Sequence, residues 1–399
     1  MDVLISGAGI AGPTLAYWLA RNGFRPTVVE RAQSLRSSGS PVDVRGPAVA
    51  VADRMGLLPR LRAAGTTAQV LSFRNARDHE VGRVNMGVLR RAAGSREVEI
   101  PRGDLATILY EAVRDDAEFL FDDTITSLRQ EGDGVEVTFD RAAPRRFDLV
   151  VGADGLHSTT RRLAFGPESS FVRHMGVYIA TVSLGGAAES DTEMLMYNFP
   201  GSAVAIHPSR GSALAAFMFR SAEIPGFDHR DVARHRRLLE QSFEGAGWRL
   251  PALLTRVREA DDLYFDAVSQ VRLPAWSTGR VTLLGDAASC VSLFGDGSSL
   301  AMAGAFALAS AMASSPDVET ALRRYEAEHR KVTGPKQRNV SQGAAMLIPA
   351  TRAGLATRNA ATRLWPLAAA ARWTGRTLSP TPKDQAAAPV PARAGCSRP

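Results

Sequence analysis

Val3-Leu4-Ile5 is a short uninterrupted apolar run, the pattern of a strand buried on both faces of a parallel sheet. Glycine follows at once. Leu15 to Arg21 then repeats apolar positions at helical period until Asn22-Gly23 offers a stop. Arg25-Pro26 turns the chain into a second strand, Thr27-Val28-Val29, which completes a strand–helix–strand unit by residue 30. Two later apolar runs, Leu149-Val150-Val151 and Val281-Thr282-Leu283-Leu284, also run straight into glycine. Between them the pattern alternates, as in Val135-Glu136-Val137-Thr138-Phe139 and in the run from Ala213 to Phe219, which predicts half-exposed antiparallel strands. Residues 171–265 therefore read as a second, sheet-rich unit. Asp317 to Arg330 is a charged helical run, and Gln342 to Arg376 is an Ala- and Arg-rich helical stretch broken at Pro349 and Pro366. Residues 379–399, rich in proline and alanine, predict a disordered tail.

Composition excludes little. With 45% hydrophobic and 22% charged residues, the 399-residue chain is neither disordered throughout nor collagen nor coiled coil. Its length predicts two to three domains. Two cysteines, Cys290 and Cys396, cannot build a disulfide framework. The formal charge of +7 suggests an acidic partner until it is divided along the chain. From Gly334 onward ten basic residues face Asp384 alone, so the preceding part carries a slight negative charge. That removes nucleic acid from the expected partners and leaves a basic tail whose role composition does not define. The chain opens without a basic segment leading into an apolar one, and the uncharged stretch Gly297 to Ser315 is mostly Gly, Ala and Ser. A cytoplasmic protein is the expectation.

Candidate chemistry starts at Gly7-Ala8-Gly9-Ile10-Ala11-Gly12, a G-x-G-x-x-G between a strand and a helix. The first glycine permits a tight turn, the second lets backbone approach a pyrophosphate, and the third allows close helix–strand packing. The helix N-terminus adds unpaired N–H groups and a positive dipole end. Glu30, followed by Arg31, closes the second strand where an acid can hold a ribose hydroxyl. An adenine dinucleotide is expected, and this motif alone does not say which.

Two more glycine-flanked acids follow strands. One lies in Gly152-Ala153-Asp154-Gly155-Leu156-His157-Ser158-Thr159-Thr160-Arg161, the other in Gly285-Asp286-Ala287-Ala288 with Gly295-Asp296-Gly297 behind it. With these three motifs in order, the chain resembles the class A flavoprotein monooxygenases, the para-hydroxybenzoate hydroxylase-like family, over most of residues 1–330. The resemblance implies an α/β fold: a discontinuous Rossmann-like FAD-binding domain (1–75, 100–170 and 266–333) with an inserted, mainly antiparallel substrate domain (76–99 and 171–265). C-terminal helices would occupy 334–378, with no thioredoxin-like domain. It also implies that Asp286 hydrogen-bonds the flavin ribitol and that Gly295 and Gly297 bring backbone to the cofactor. Asp154 and Gly155 would serve FAD and transient reduced nicotinamide. Arg102, in Pro101-Arg102-Gly103-Asp104-Leu105, resembles the family's flavin-contacting arginine, and Arg36 or Arg45 would supply another.

The implied reaction is hydroxylation of an aromatic or polycyclic small molecule through a flavin C4a-hydroperoxide, with NAD(P)H and O2 as co-substrates and a monomer or homodimer as the working form. The segment after Gly285-Asp286 departs from the family: Ser289 replaces an aromatic or histidine, and Val291, Ser292 and Leu293 stand where prolines are usual. Epoxidation, Baeyer–Villiger oxygenation and dehydrogenation of the same fold therefore stay open. So does a non-catalytic or membrane-docked flavoprotein, although the alanine-rich basic stretch offers few large apolar groups to a bilayer. His207 is the candidate substrate base, with His174 and Tyr264 in the same region, although a histidine in this setting is more often structural. Phe217, Met218 and Phe219 line either a pocket or an ordinary sheet core. Cys290, with no base or metal-ligand spacing nearby, reads as a packing residue.

Overall fold

The computed structural model describes residues 1–35, 40–92, 96–291 and 296–362. Arg36, Gly295, Pro366 and the stretch 379–399 lie outside them.

The apolar runs of the sequence meet in one six-stranded sheet. Its order is Ser277–Thr278, Val281–Leu283, Leu149–Gly152, Asp2–Ser6, Arg25–Glu30, Glu118–Phe121, with all neighbours parallel except the first pair. The four inner strands are buried on both faces, which is why they read as near-continuous hydrophobic runs. Val3 and Ile5 pack under the helices Ala11–Arg21 and Asp296–Ser314, while Leu4, Val29 and Val150 face a three-stranded antiparallel sheet carrying Ile125, Val135, Val137 and Phe147. The helix Asp296–Ser314 is, among the described residues, the one long and apolar enough to cross a membrane, and most of it is buried in this core.

The alternating segments build a seven-stranded sheet in the order Tyr264–Val271, Val172–Ser183, Leu214–Arg220, Ser202–His207, Glu193–Phe199, Val70–Arg74, Glu80–Asn85. It is antiparallel except where Glu193–Phe199 meets Val70–Arg74. Val70–Arg74 falls in the 1–75 segment expected for the cofactor unit, and Tyr264–Val271 falls mostly in 266–333. Both hydrogen-bond instead into the second sheet, one beside Glu193–Phe199 and the other beside Val172–Ser183. Phe217 and Phe219 pack on Phe243 of the helix Val232–Phe243, whereas Met218 points to the opposite face with Ala203 and Ala205. The aromatic pair is sheet core.

The charged helix runs further than its charge pattern: a single helix, Val318–Leu347, continues through Pro335. Its flanks explain the continuation. Tyr325 donates to Leu283 O (3.1 Å), Gln337 donates to Val271 O (2.8 Å), and Arg220 donates to Ala344 O (2.9 Å), so one helix is anchored on both large sheets. Those tertiary contacts outweigh the one backbone donor that a proline lacks. Residues 352–362 are helical as well, and Arg358 there stacks over Phe73 and donates to Asn198 Oδ1. Part of the basic C-terminal charge is thus used in internal packing.

Candidate functional site

The first glycine loop is shaped by contacts that exclude side chains. Gly7 has φ +107°, and a Cβ there would lie 2.6 Å from Ala153 O. A Cβ on Gly12 would lie 1.9 Å from Gly7 O. These two glycines are required by the protein itself. Gly9 differs: it is exposed, and a Cβ would meet nothing within 4 Å. The bare backbone at Gly9 lies at the start of the helix Ala11–Arg21, whose N-cap has no side-chain hydrogen bond. Open space over unpaired N–H groups suits a phosphate. Beside it, Glu30 accepts from Ala8 N (2.8 Å) and Ala32 N (2.9 Å), which fixes the carboxylate at the end of its strand. Arg31 is exposed at that same strand end.

The late Gly-Asp motif folds onto this loop. Gly285 has φ +63°, and a Cβ there would come 3.3 Å from the Ala11 Cβ, so the short helix Asp286–Ser289 sits against the first helix. Burial pushes the Asp286 carboxyl up, opposed by Arg102 and by hydrogen bonding to Cys290. Gly297 lies near it, since a Cβ there would be 3.5 Å from Asp286 Oδ1. Arg102 begins the helix Arg102–Glu111 with an exposed side chain. Cys290 is buried. Arg45 donates through Nε to Asp296 Oδ1 (2.9 Å) and lies 3.5 Å from Asp43, tying the Val42–Val44 strand to the start of the helix Asp296–Ser314.

Asp154 turns inward. Its carboxylate accepts from Ser158 Oγ (2.5 Å), Thr160 N (2.9 Å), Thr160 Oγ1 (3.0 Å) and Ser6 Oγ (3.3 Å), so it organises the turn that Gly155 makes at φ +82°. The fully buried Arg161 donates to Leu156 O (2.6 Å), to Ala287 O (3.1 Å) and to Glu168 Oε2 (3.3 Å). It joins the middle motif to the Gly-Asp helix, a role that the motif's spacing alone does not reveal.

A second polar group stands between this assembly and the seven-stranded sheet. Asp43 and Glu99 are cross-strand partners in the two-stranded ribbon of Val42–Val44 and Val98–Ile100. Glu99 meets buried His207 Nε2 at 3.4 Å and accepts from Thr66 Oγ1 at 2.6 Å. Burial raises the Glu99 carboxyl, but His207 and Thr66 outweigh it and hold it below the usual range. Burial pushes Asp43 up to about 6 against the attraction of Arg45. His207 shares its sheet face with Ala203 and Ala205, opposite Val204 and Ile206. The sequence signal for the two acids was present: each interrupts a β-branched strand, Val42-Asp43-Val44 and Val98-Glu99-Ile100. His174 is accounted for otherwise, with Nε2 3.0 Å from Ser221 O.

Comparison with known proteins identifies the family. The family profile described as FAD binding domain matches residues 1–337. A flavin-dependent monooxygenase of an unknown prokaryotic organism is 39% identical over 81% of this chain and 84% of its own. An uncharacterised protein of Mycobacterium tuberculosis is 40% identical over 82% of this chain and 89% of its own. The crystal structure of the tetracycline destructase Tet(55) superimposes with a TM-score of 0.79 at 34% identity, covering 90% of this chain and 94% of that one. The residues present fit FAD: open backbone at Gly9, an acid fixed at Glu30, and Asp286 with Gly297 beside the loop.

Proposed function

The chain belongs to the FAD binding domain family of flavin-dependent monooxygenases, and on that premise we propose that it hydroxylates a polycyclic or aromatic small molecule at the expense of a reduced nicotinamide. The balance is R–H + O2 + NAD(P)H + H⁺ → R–OH + H2O + NAD(P)⁺. When bound, FAD supplies the electron transfer and dioxygen activation that side chains cannot. The backbone at Gly9 would hold the pyrophosphate in the loop that Gly7 and Gly12 shape, Glu30 would receive a ribose hydroxyl, and Asp286 and Arg102 would flank the remainder.

The observation that carries the substrate reading is half-buried Glu99 paired with buried His207, which lies on the small-residue face of the second sheet. Attack on an aromatic carbon is eased when the ring is electron-rich, so a base that draws a phenol or enol toward its anion speeds the step. His207 is the base in this reading, and Glu99, 3.4 Å from its Nε2, orients it. Likeness to the tetracycline destructase Tet(55) supports a polycyclic, polyhydroxylated substrate.

Turnover with tetracycline-type and simpler phenols under labelled dioxygen tests both parts. The expected result is label in the product, and loss of kcat in Glu99→Gln with FAD retained. Products without label, with all reducing equivalents recovered as peroxide, would overturn it.

A further inference from the structure

We propose that Tyr264, Asp266, His157 and Glu168 form a proton path from the cofactor cleft to solvent, supplying the proton that each turnover consumes. The proposal rests on the oxygenase balance above. Tyr264 opens the strand Tyr264–Val271, is 42% exposed, and lies within electrostatic reach of Arg102, Asp286 and Cys290. Its hydroxyl donates to Asp266 Oδ2 at 3.4 Å. Asp266 is buried, accepts from Ala267 N (2.8 Å), and meets His157 Nε2 at 3.1 Å. On the other side of the ring, His157 Nδ1 lies 3.0 Å from Glu168 Oε1, and the Glu168 side chain is 39% exposed.

A histidine with a carboxylate on each ring nitrogen carries hydrogen on both. Burial presses the His157 pKa down, but hydrogen bonds to Asp266 and Glu168 bring it up to about 9. The other groups facing it are Arg161, which donates to Glu168 Oε2, and His229, whose ring stacks on it at 3.7 Å with Asp228 and Arg230 nearby. Burial and the His157 charge both push His229 down, so it packs as a neutral ring. A path needs one group that holds a proton at working pH and neighbours that pass it on, and the chain provides both.

The transfer balances without altering any residue. Tyr264 Oη releases a proton into the cleft and takes one through Asp266 Oδ2, which takes the proton from His157 Nε2. His157 is recharged at Nδ1 from Glu168, which is reprotonated by water.

The test uses the FAD-loaded full chain with Asp266→Asn, His157→Gln and Tyr264→Phe, each first checked for bound flavin by visible absorption. Anaerobic photoreduction of the bound cofactor consumes two electrons and a proton, followed by bleaching and by an indicator dye in weak buffer. In wild type the two signals should coincide. In the variants proton uptake should lag bleaching by about tenfold or more, and free imidazole should shorten the lag in His157→Gln. Coincident signals in the variants that retain flavin would overturn the path. If Asp266→Asn fails to hold flavin, the other two decide. A wild-type chain that takes up no FAD would instead defeat the underlying oxygenase reading.

Discussion

Gly9→Ala separates what the glycine loop does for the protein from what it does for the cofactor. A Cβ at Gly9 meets nothing within 4 Å, and its backbone is not left-handed, so the substitution introduces no clash. Stability without cofactor should change by no more than about 0.5 kcal/mol. The new methyl would occupy the space over the helix N-terminus. If it displaces about two charge-assisted backbone hydrogen bonds at roughly 1.5–3 kcal/mol each, FAD affinity falls by about 3–6 kcal/mol. That is roughly a hundred- to ten-thousand-fold. Urea denaturation of the apoprotein and flavin fluorescence titration measure the two quantities on one preparation. Gly12→Ala is the contrast, because its Cβ would lie 1.9 Å from Gly7 O and must disrupt the loop itself. Wild-type FAD affinity in Gly9→Ala, or a destabilised apoprotein, would refute the assignment of this loop.

Two further perturbations probe the motif turn. Asp154→Ala removes the acceptor for Ser158, Thr160 and Ser6, and should cost about 2–4 kcal/mol of unfolding free energy; a normal denaturation midpoint would show that its contacts are dispensable. The His157 pKa is raised on folding, so its stabilisation is complete below its ordinary 6.5 and is lost as pH climbs through about 9. For a partly screened cluster that loss is about 1–3 kcal/mol. Urea midpoints across that range should fall in wild type and stay flatter in Asp266→Asn; parallel profiles would contradict the pairing.

The sequence exposed the cofactor sheet because its strands are buried on both faces, and Val3-Leu4-Ile5 has no other reading once glycine follows. The glycine loop was legible for a related reason: Gly7 and Gly12 sit where backbone touches backbone, and no other residue fits. Asp154 was visible as a motif residue, but its hydrogen bonds turn inward, and one-dimensional spacing does not record which way a carboxylate points. Glu99, Asp43 and His207 were harder. Their meeting depends on a short ribbon packing against a sheet strand more than a hundred residues away, which an acid interrupting a β-branched run does not reveal. The end of the charged helix was misplaced for a local reason, since the charge pattern stops at Arg330 while tertiary anchors carry the helix on through Pro335.

That long helix also acts as a ruler. Its 30 residues run about 45 Å, and the stretch from Tyr325 at the cofactor sheet to Ala344 at the second sheet takes up about 29 Å of that. A loop of the same role could gain or lose residues with little effect on its ends. Here each inserted residue would lengthen the span by about 1.5 Å and swing every later side chain through about 100°. Gln337 and Ala344 would then leave their partners. Insertions near multiples of about seven residues, two turns, restore the facing but carry the second sheet a full two turns further away. The depth of the space between the sheets is therefore quantised by helix geometry, and substrate range can drift by changing side chains far more readily than by changing chain length.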